Sequence, residues 1–189
     1  MTHAPKLTHP LSIQFWPDVL TADEIDAVVA YGDRVLQEAA EVGRGINSSV
    51  RITRIAWLEH NVDTDSLYHR IAQVVHELNR RAFHFDVTGL EKVQYSVYKS
   101  SEGGHYDWHI DTGPENPKPR KISMSIQLTD PATYAGGDLQ FQVAQKVDVA
   151  PRERGTCICF PSFFRHRVTP ITSGTRRALV VWASGPEFR

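Results

Sequence analysis

Two textures of hydrophobic and polar positions divide the chain near residue 90. Before it, apolar positions recur at helical spacing. Thr21 followed by Glu24 forms a capping-box pattern, and Ile25, Val28, Val29, Leu36 and Ala40 keep one face apolar. This predicts a helix to about residue 40, ended by Gly43 and Gly45. Leu67, Ile71, Val74, Val75, Leu78 and Ala82 fall at i, i+4, i+7, i+8, i+11 and i+15, a second amphipathic stripe with Asp63 or Asp65 at its cap. Two runs rich in strand formers, residues 11–16 and 50–58, accompany the helices.

From about residue 92 the period changes to two. Gln94, Ser96 and Tyr98 share one face of a strand, and Ile122, Met124, Ile126 and Leu128 alternate with Ser123, Ser125 and Gln127. Such alternation suits a sheet with helices on its outer face and a polar cavity inside. The expected fold is therefore mainly β with flanking helices. Its core is a double-stranded β-helix (jelly roll, cupin-like) over about 91–186, and helical N-terminal support over about 1–90 packs on the major sheet. At 189 residues the chain fits one domain, 1–189. Segment 112–120 holds three prolines, Pro114, Pro117 and Pro119, and reads equally as a mobile lid or a plain connector.

Composition narrows the partners. Charged residues are 23% of the chain with a net charge of −1, so no global field would gather nucleic acid or an anionic membrane, and no nucleic-acid partner is expected. The start has no apolar leader and no later apolar run is long enough to span a bilayer, which leads us to expect a soluble, cytoplasmic protein. Cys157 and Cys159 lie two apart on a predicted strand, share a face and are poorly placed to bridge each other; they read as reduced core residues.

The chemistry concentrates in residues 103–113. On a strand His109 and Asp111 present an imidazole and a carboxylate to one point, and His166 is a remote candidate for the third corner. Two histidines and one carboxylate on one side of a metal leave its other positions open, the ligand set of non-haem Fe(II) oxygenases. A second pair, His105 and Asp107, has the same parity as His109 and Asp111, so alternation alone cannot choose between them. Arg176 follows ten residues after His166, with Arg177 as its competitor.

The ordered set of Tyr98, Gly104-His105-Tyr106 leading to His109-x-Asp111, Gly136-Gly137-Asp138-Leu139, His166-x-Val168-x-Pro170 and Thr175-Arg176 resembles the Fe(II)/2-oxoglutarate-dependent dioxygenases, in their prolyl-hydroxylase-like branch. It covers roughly residues 93–182. The resemblance implies the 109/111 register, because the family carries an aromatic three residues before the first ligand, here Tyr106. It makes His109, Asp111 and His166 the metal-binding and catalytic set. Arg176 becomes the anchor for the distal carboxylate of 2-oxoglutarate, facing into the roll with Trp182, while Arg177 points to the other face. Tyr98 matches a tyrosine whose hydroxyl contacts 2-oxoglutarate, and Gln127 stands where relatives carry a second one. The implied cofactors are Fe(II) and 2-oxoglutarate as co-substrate, with ascorbate as an accessory reductant. The implied reaction consumes O2, releases succinate and CO2, and hydroxylates an unactivated carbon of a prolyl or other residue in a peptide or protein. A free amino acid or small acid is the alternative substrate, for which Arg51 or Arg54 would be the clamp; the basic trio Lys118, Arg120 and Lys121 suits an acidic peptide or a small acid alike. A cupin-type metalloprotein without 2-oxoglutarate, or a non-catalytic binding module, would not need Arg176 buried at the metal cavity.

Overall fold

The helical stripes and the alternating segments each find the partner their apolar faces require. The computed structural model describes residues 12–40, 46–47, 49–113 and 119–187. In chain order the elements are β1 (Gln14–Trp16), α1 (Ala22–Ala40), β2 (Ile46–Asn47), β3 (Arg51–Leu58), α2 (Asp65–Leu78), β4 (Gly89–Leu90), β5 (Val93–Lys99), β6 (His105–His109), β7 (Arg120–Gln127), β8 (Ala135–Gly136), β9 (Leu139–Val143), β10 (Lys146–Val149), β11 (Cys157–Pro161), β12 (His166–Val168), β13 (Ile171–Ser173) and β14 (Thr175–Ser184). Among the described residues no helix is long and apolar enough to cross a membrane.

Among the described residues, all strands but β8 and β13, which pair with each other, form one curled antiparallel sheet in the order β1-β11-β7-β14-β5-β3-β6-β12-β9-β10, with β2 beside β3 and β4 beside β14. The curl turns on β3. Its Arg54–Leu58 part pairs with β5 in the larger layer, while Arg51 and Ile52 pair with Tyr106 and His105 of β6 in the smaller one. β1 and β3 thus make strand contributions from the first ninety residues, which the sequence pattern assigns mainly to helical support.

Two cores lie on the two faces of the larger layer. Outside, Ile25 of α1 and Leu67, Ile71, Val74, Val75 and Leu78 of α2 pack on Val93, Tyr95, Ile122, Met124, Ile126 and Leu179. Inside the roll, Tyr98, Leu139, Phe141, Ile158, Phe160 and Val168 form the second. The alternation on β7 is this division seen from one strand. Cys157 and Cys159 are buried free thiols with their sulfurs 3.5 Å apart.

The capping box forms: Glu24 Oε2 accepts from the Thr21 N–H at 2.7 Å, and Thr21 Oγ1 from the Glu24 N–H at 3.2 Å. The predicted stop at Gly43 and Gly45 lies outside the described residues. The cap of α2 is Thr64 rather than Asp63 or Asp65, and its hydroxyl donates back to the Glu59 carbonyl at 2.6 Å instead of capping the helix. Ala82 sits in a π-helical turn (Asn79–Phe83) after α2.

Candidate active site

The site is assembled where β6 meets β12. His109 and His166 are direct cross-strand partners, but the next inward pair is Tyr106 with Val168, three residues away on β6 and two on β12. One extra residue in β6 is a β-bulge, and it resets the alternation. Tyr106 and His109 therefore both line the cavity. His105 and Asp107 are turned away: the His105 ring bonds the Gly103 carbonyl at 2.8 Å, and Asp107 Oδ1 accepts from the Trp108 N–H at 2.7 Å. The expectation that 105, 107, 109 and 111 share one face is thus corrected by the bulge, which pairwise parity cannot foresee.

Beyond the strand, the Asp111 N–H donates to the Ser162 carbonyl at 2.9 Å, which swings the carboxylate under the two rings. His109 Nε2 lies 3.7 Å from Asp111 Oδ1, and His166 Nε2 lies 3.6 Å from Oδ2. Ligand atoms of all three residues fall within 4.8 Å of one another. Each imidazole is oriented from behind, with Nδ1 of His109 bonded to the Asp107 carbonyl at 2.7 Å and Nδ1 of His166 to the Phe164 carbonyl at 2.9 Å. Those bonds place the proton on Nδ1 and turn the Nε2 lone pair inward, as metal-ligating histidines require. Burial, and the second imidazole facing it, lower His109 to about 4. Burial pushes the Asp111 carboxyl up, but His166, His109 and the Ser123 hydroxyl outweigh it and leave its pKa lowered. His109 is therefore a neutral imidazole and Asp111 a carboxylate near pH 7, the protonation states a divalent cation needs from them.

Arg176 and Tyr98 oppose each other across β14 and β5. Arg176 is 1% exposed, with its Nη2 donating to Gln127 Oε1 at 3.0 Å and its Nε finding no acceptor among the described residues. A guanidinium this buried with a neutral amide for company is electrostatically incomplete, and a carboxylate is the group whose shape completes it. The residues present thus fit both a divalent metal and 2-oxoglutarate. Gly137 permits this placement, since a Cβ there would stand 2.3 Å from Ile171 Cδ1 and 3.1 Å from Arg176 Cδ. Arg177 projects outward and forks onto Asp33 of α1 at 3.3 and 3.0 Å.

Both groups open on one cavity of about 280 Å³, walled by Tyr98, Leu139, Phe160, Val168 and Trp182 among others. Gln127 is not on that wall; it stands behind Arg176, its amide nitrogen tied to the Pro151 carbonyl at 3.2 Å. Trp182 is a buried part of that wall, 6% exposed and 6.2 Å from the exposed Trp57 between ring centroids, with the Arg120 guanidinium 3.8 Å over its face. Arg120 is in turn forked onto Glu91 at 3.0 and 2.8 Å. Arg51 lines the cavity 4.5 Å over the Tyr106 ring, whose other face stacks 3.5 Å from His109. Arg54 instead faces out and pairs with Glu102. Residues 114–118, with most of the suspected lid and Lys118, lie outside the described residues. Sequence reasoning gave no role to Trp57 or to Ser123; the polar inward face of β7 was the available signal for the latter.

Residues 93–184 match the family described as the 2OG-Fe(II) oxygenase superfamily. Similar curated proteins include a PKHD-type hydroxylase of a Synechococcus strain, 31% identical over 57% of this chain and 52% of that protein. Another, from Alteromonas mediterranea, is 25% identical over 87% of this chain and 75% of that protein. The chain thus spans about half the length of the first relative, and less of several others it matches. In fold the chain is similar to a Pseudomonas putida prolyl-4-hydroxylase, with TM-score 0.73, 18% identity and 93% of each chain covered. It is also similar to a Trichoplax adhaerens prolyl hydroxylase solved with a hypoxia inducible factor peptide fragment, with TM-score 0.71, 20% identity, and 92% of this chain and 84% of that one covered.

Proposed function

We propose that this chain, which belongs to the 2OG-Fe(II) oxygenase superfamily, is an Fe(II)- and 2-oxoglutarate-dependent dioxygenase that hydroxylates a prolyl or other residue of a peptide or protein. The observation that carries the reading is the incomplete guanidinium of Arg176 opening on the same cavity as two histidines and a carboxylate. A metal-binding roll without a dicarboxylate co-substrate gives that arginine nothing to do.

In this reading His109 Nε2, His166 Nε2 and a carboxylate oxygen of Asp111 hold the metal. When bound together, Fe(II) and 2-oxoglutarate supply O2 activation and the oxidising power to hydroxylate a carbon, with release of succinate and CO2. The remaining work belongs to the chain. Arg176 takes the distal carboxylate of 2-oxoglutarate as a two-point fork, Gln127 keeps the guanidinium from turning, and Tyr98 offers its phenol along the same wall. Leu139, Phe160 and Val168 exclude water from the reacting centre. The helices share a core with the larger sheet layer, which supports reading residues 1–189 as one domain. A cytoplasmic setting is part of the proposal, supported by the two unbridged thiols.

A peptide substrate is supported by the exposed Trp57 ring beside the cavity and by relatives named as prolyl hydroxylases, one of them solved with a peptide. One observation favours a free acid instead: Arg51 brings a cation to the cavity wall beside Tyr106 and His109. Arg54, committed to Glu102 outside, does not. Succinate release above the uncoupled background separates the two, measured with proline-containing peptides and with a panel of free amino acids and small acids. Coupling to peptides is the expected result. Coupling only to a free acid, lost in Arg51→Ala, would move the assignment to the second substrate class.

A further inference from the structure

A carboxylate can serve a metal beside two imidazoles only while its rotation is held. Outer partners that bond a ligating carboxylate are what hold it. In this chain Asp111 Oδ2 accepts from the Ser123 hydroxyl at 2.6 Å, a length typical of a hydroxyl bonded to an ionised acceptor. Ser123 is 0% exposed, so no water competes for its proton. Ser162, equally buried, stands 3.0 Å behind it.

The backbone ties the same groups together. Asp111 N–H donates to the Ser162 carbonyl at 2.9 Å, and Ser162 N–H donates to the Lys121 carbonyl at 3.0 Å, two residues before Ser123. Carboxylate and hydroxyl therefore cannot drift apart without unpairing β7 from the turn after β11. Ser123 is also the cross-strand partner of Phe160 on one side and Trp182 on the other, so a small side chain is wanted between two large ones.

We propose that Ser123 is a positioning residue for the metal centre: by donating to Asp111 Oδ2, it fixes the rotation of the carboxylate so that Oδ1 stays facing His109 Nε2 and Oδ2 His166 Nε2. The proposal rests on the metal-site reading given above and adds a requirement to it. The other inward polar position with a partner on β7, Gln127, does the equivalent service for Arg176, so the strand supports both halves of the site from behind.

The test uses Co(II), titrated into the full chain without O2 or 2-oxoglutarate and followed by its visible absorption, which reports affinity and coordination together without any turnover. Ser123→Ala and Ser123→Gly both remove the hydroxyl, and the result is read from whichever keeps the wild-type melting temperature. The expected result is Co(II) binding about 10- to 100-fold weaker, the usual cost of losing an outer-shell partner, with altered band intensity. Ser162→Ala, which touches Ser123 and not the carboxylate, should bind close to wild type. Unchanged affinity and bands in the Ser123 variants overturn the proposal, provided Asp111→Ala has lost the metal. If Asp111→Ala itself binds Co(II) like wild type, the metal-site reading fails first and takes the proposal with it.

Discussion

Arg176 is the residue whose surroundings make the strongest demand. It is among the largest fully buried side chains, and the acceptor found for it is the neutral amide of Gln127. Removing one partner of a buried ion pair costs about 3–5 kcal/mol, so Arg176→Ala should raise the 2-oxoglutarate requirement by at least about 100-fold. Its metal affinity should stay near wild type, because the guanidinium does not touch the three ligands. Arg177→Ala should leave the requirement unchanged, since that side chain is spent on Asp33 outside the roll. Equal effects from the two arginines, in succinate release against 2-oxoglutarate concentration, would remove the basis for the assignment. Gln127→Ala should fall between them, at roughly tenfold, the worth of one hydrogen bond to a charged group.

At the scale of elements, the placement of α1 depends on a close approach. A Cβ at Gly32 would stand 2.7 Å from the Tyr95 ring, which is itself fully buried and cannot yield. Alanine is the better helix former by about 1 kcal/mol, yet overpacking costs about 1–3 kcal/mol, so Gly32→Ala should lower the melting temperature. A rise would show that the helix has slack against the sheet. The same contact predicts a pH effect. Burial and the hydrogen bond to Asp33 at 2.7 Å raise the Tyr95 phenol far above its ordinary value. The unfolded chain gives up that proton near pH 10 and the folded chain keeps it, so stability is full below about pH 10 and declines above it. Tyr95→Phe should flatten the decline in urea midpoints measured between pH 8 and 11; an unchanged slope would assign it to other groups.

For the molecule as a whole, what was legible in the sequence is what lies in short linear patterns. The two helical stripes, the alternation of β7, the His109/Asp111 pair and the spacing from His166 to Arg176 each report on neighbours a few residues apart, and the structure brings His109, Asp111, His166, Arg176 and Tyr98 to one cavity. The rest depends on register between distant segments. The bulge that separates Tyr106 and His109 from His105 and Asp107 exists only against β12, and β3 joins both layers only because β5 and β6 meet its two ends. The services of Ser123 and Gln127 likewise appear only once their strands are paired. The central claim is that one cavity holds a divalent metal and a dicarboxylate side by side. It is tested most directly by anaerobic titration of Fe(II) and 2-oxoglutarate into the protein, following the weak visible charge-transfer band of the chelate. The account predicts the band in wild type and in His105→Ala and Asp107→Ala. It predicts none in Asp111→Ala, and in Arg176→Ala a band only at far higher 2-oxoglutarate. No band in wild type, or a band that survives Asp111→Ala and disappears in Asp107→Ala, would contradict it.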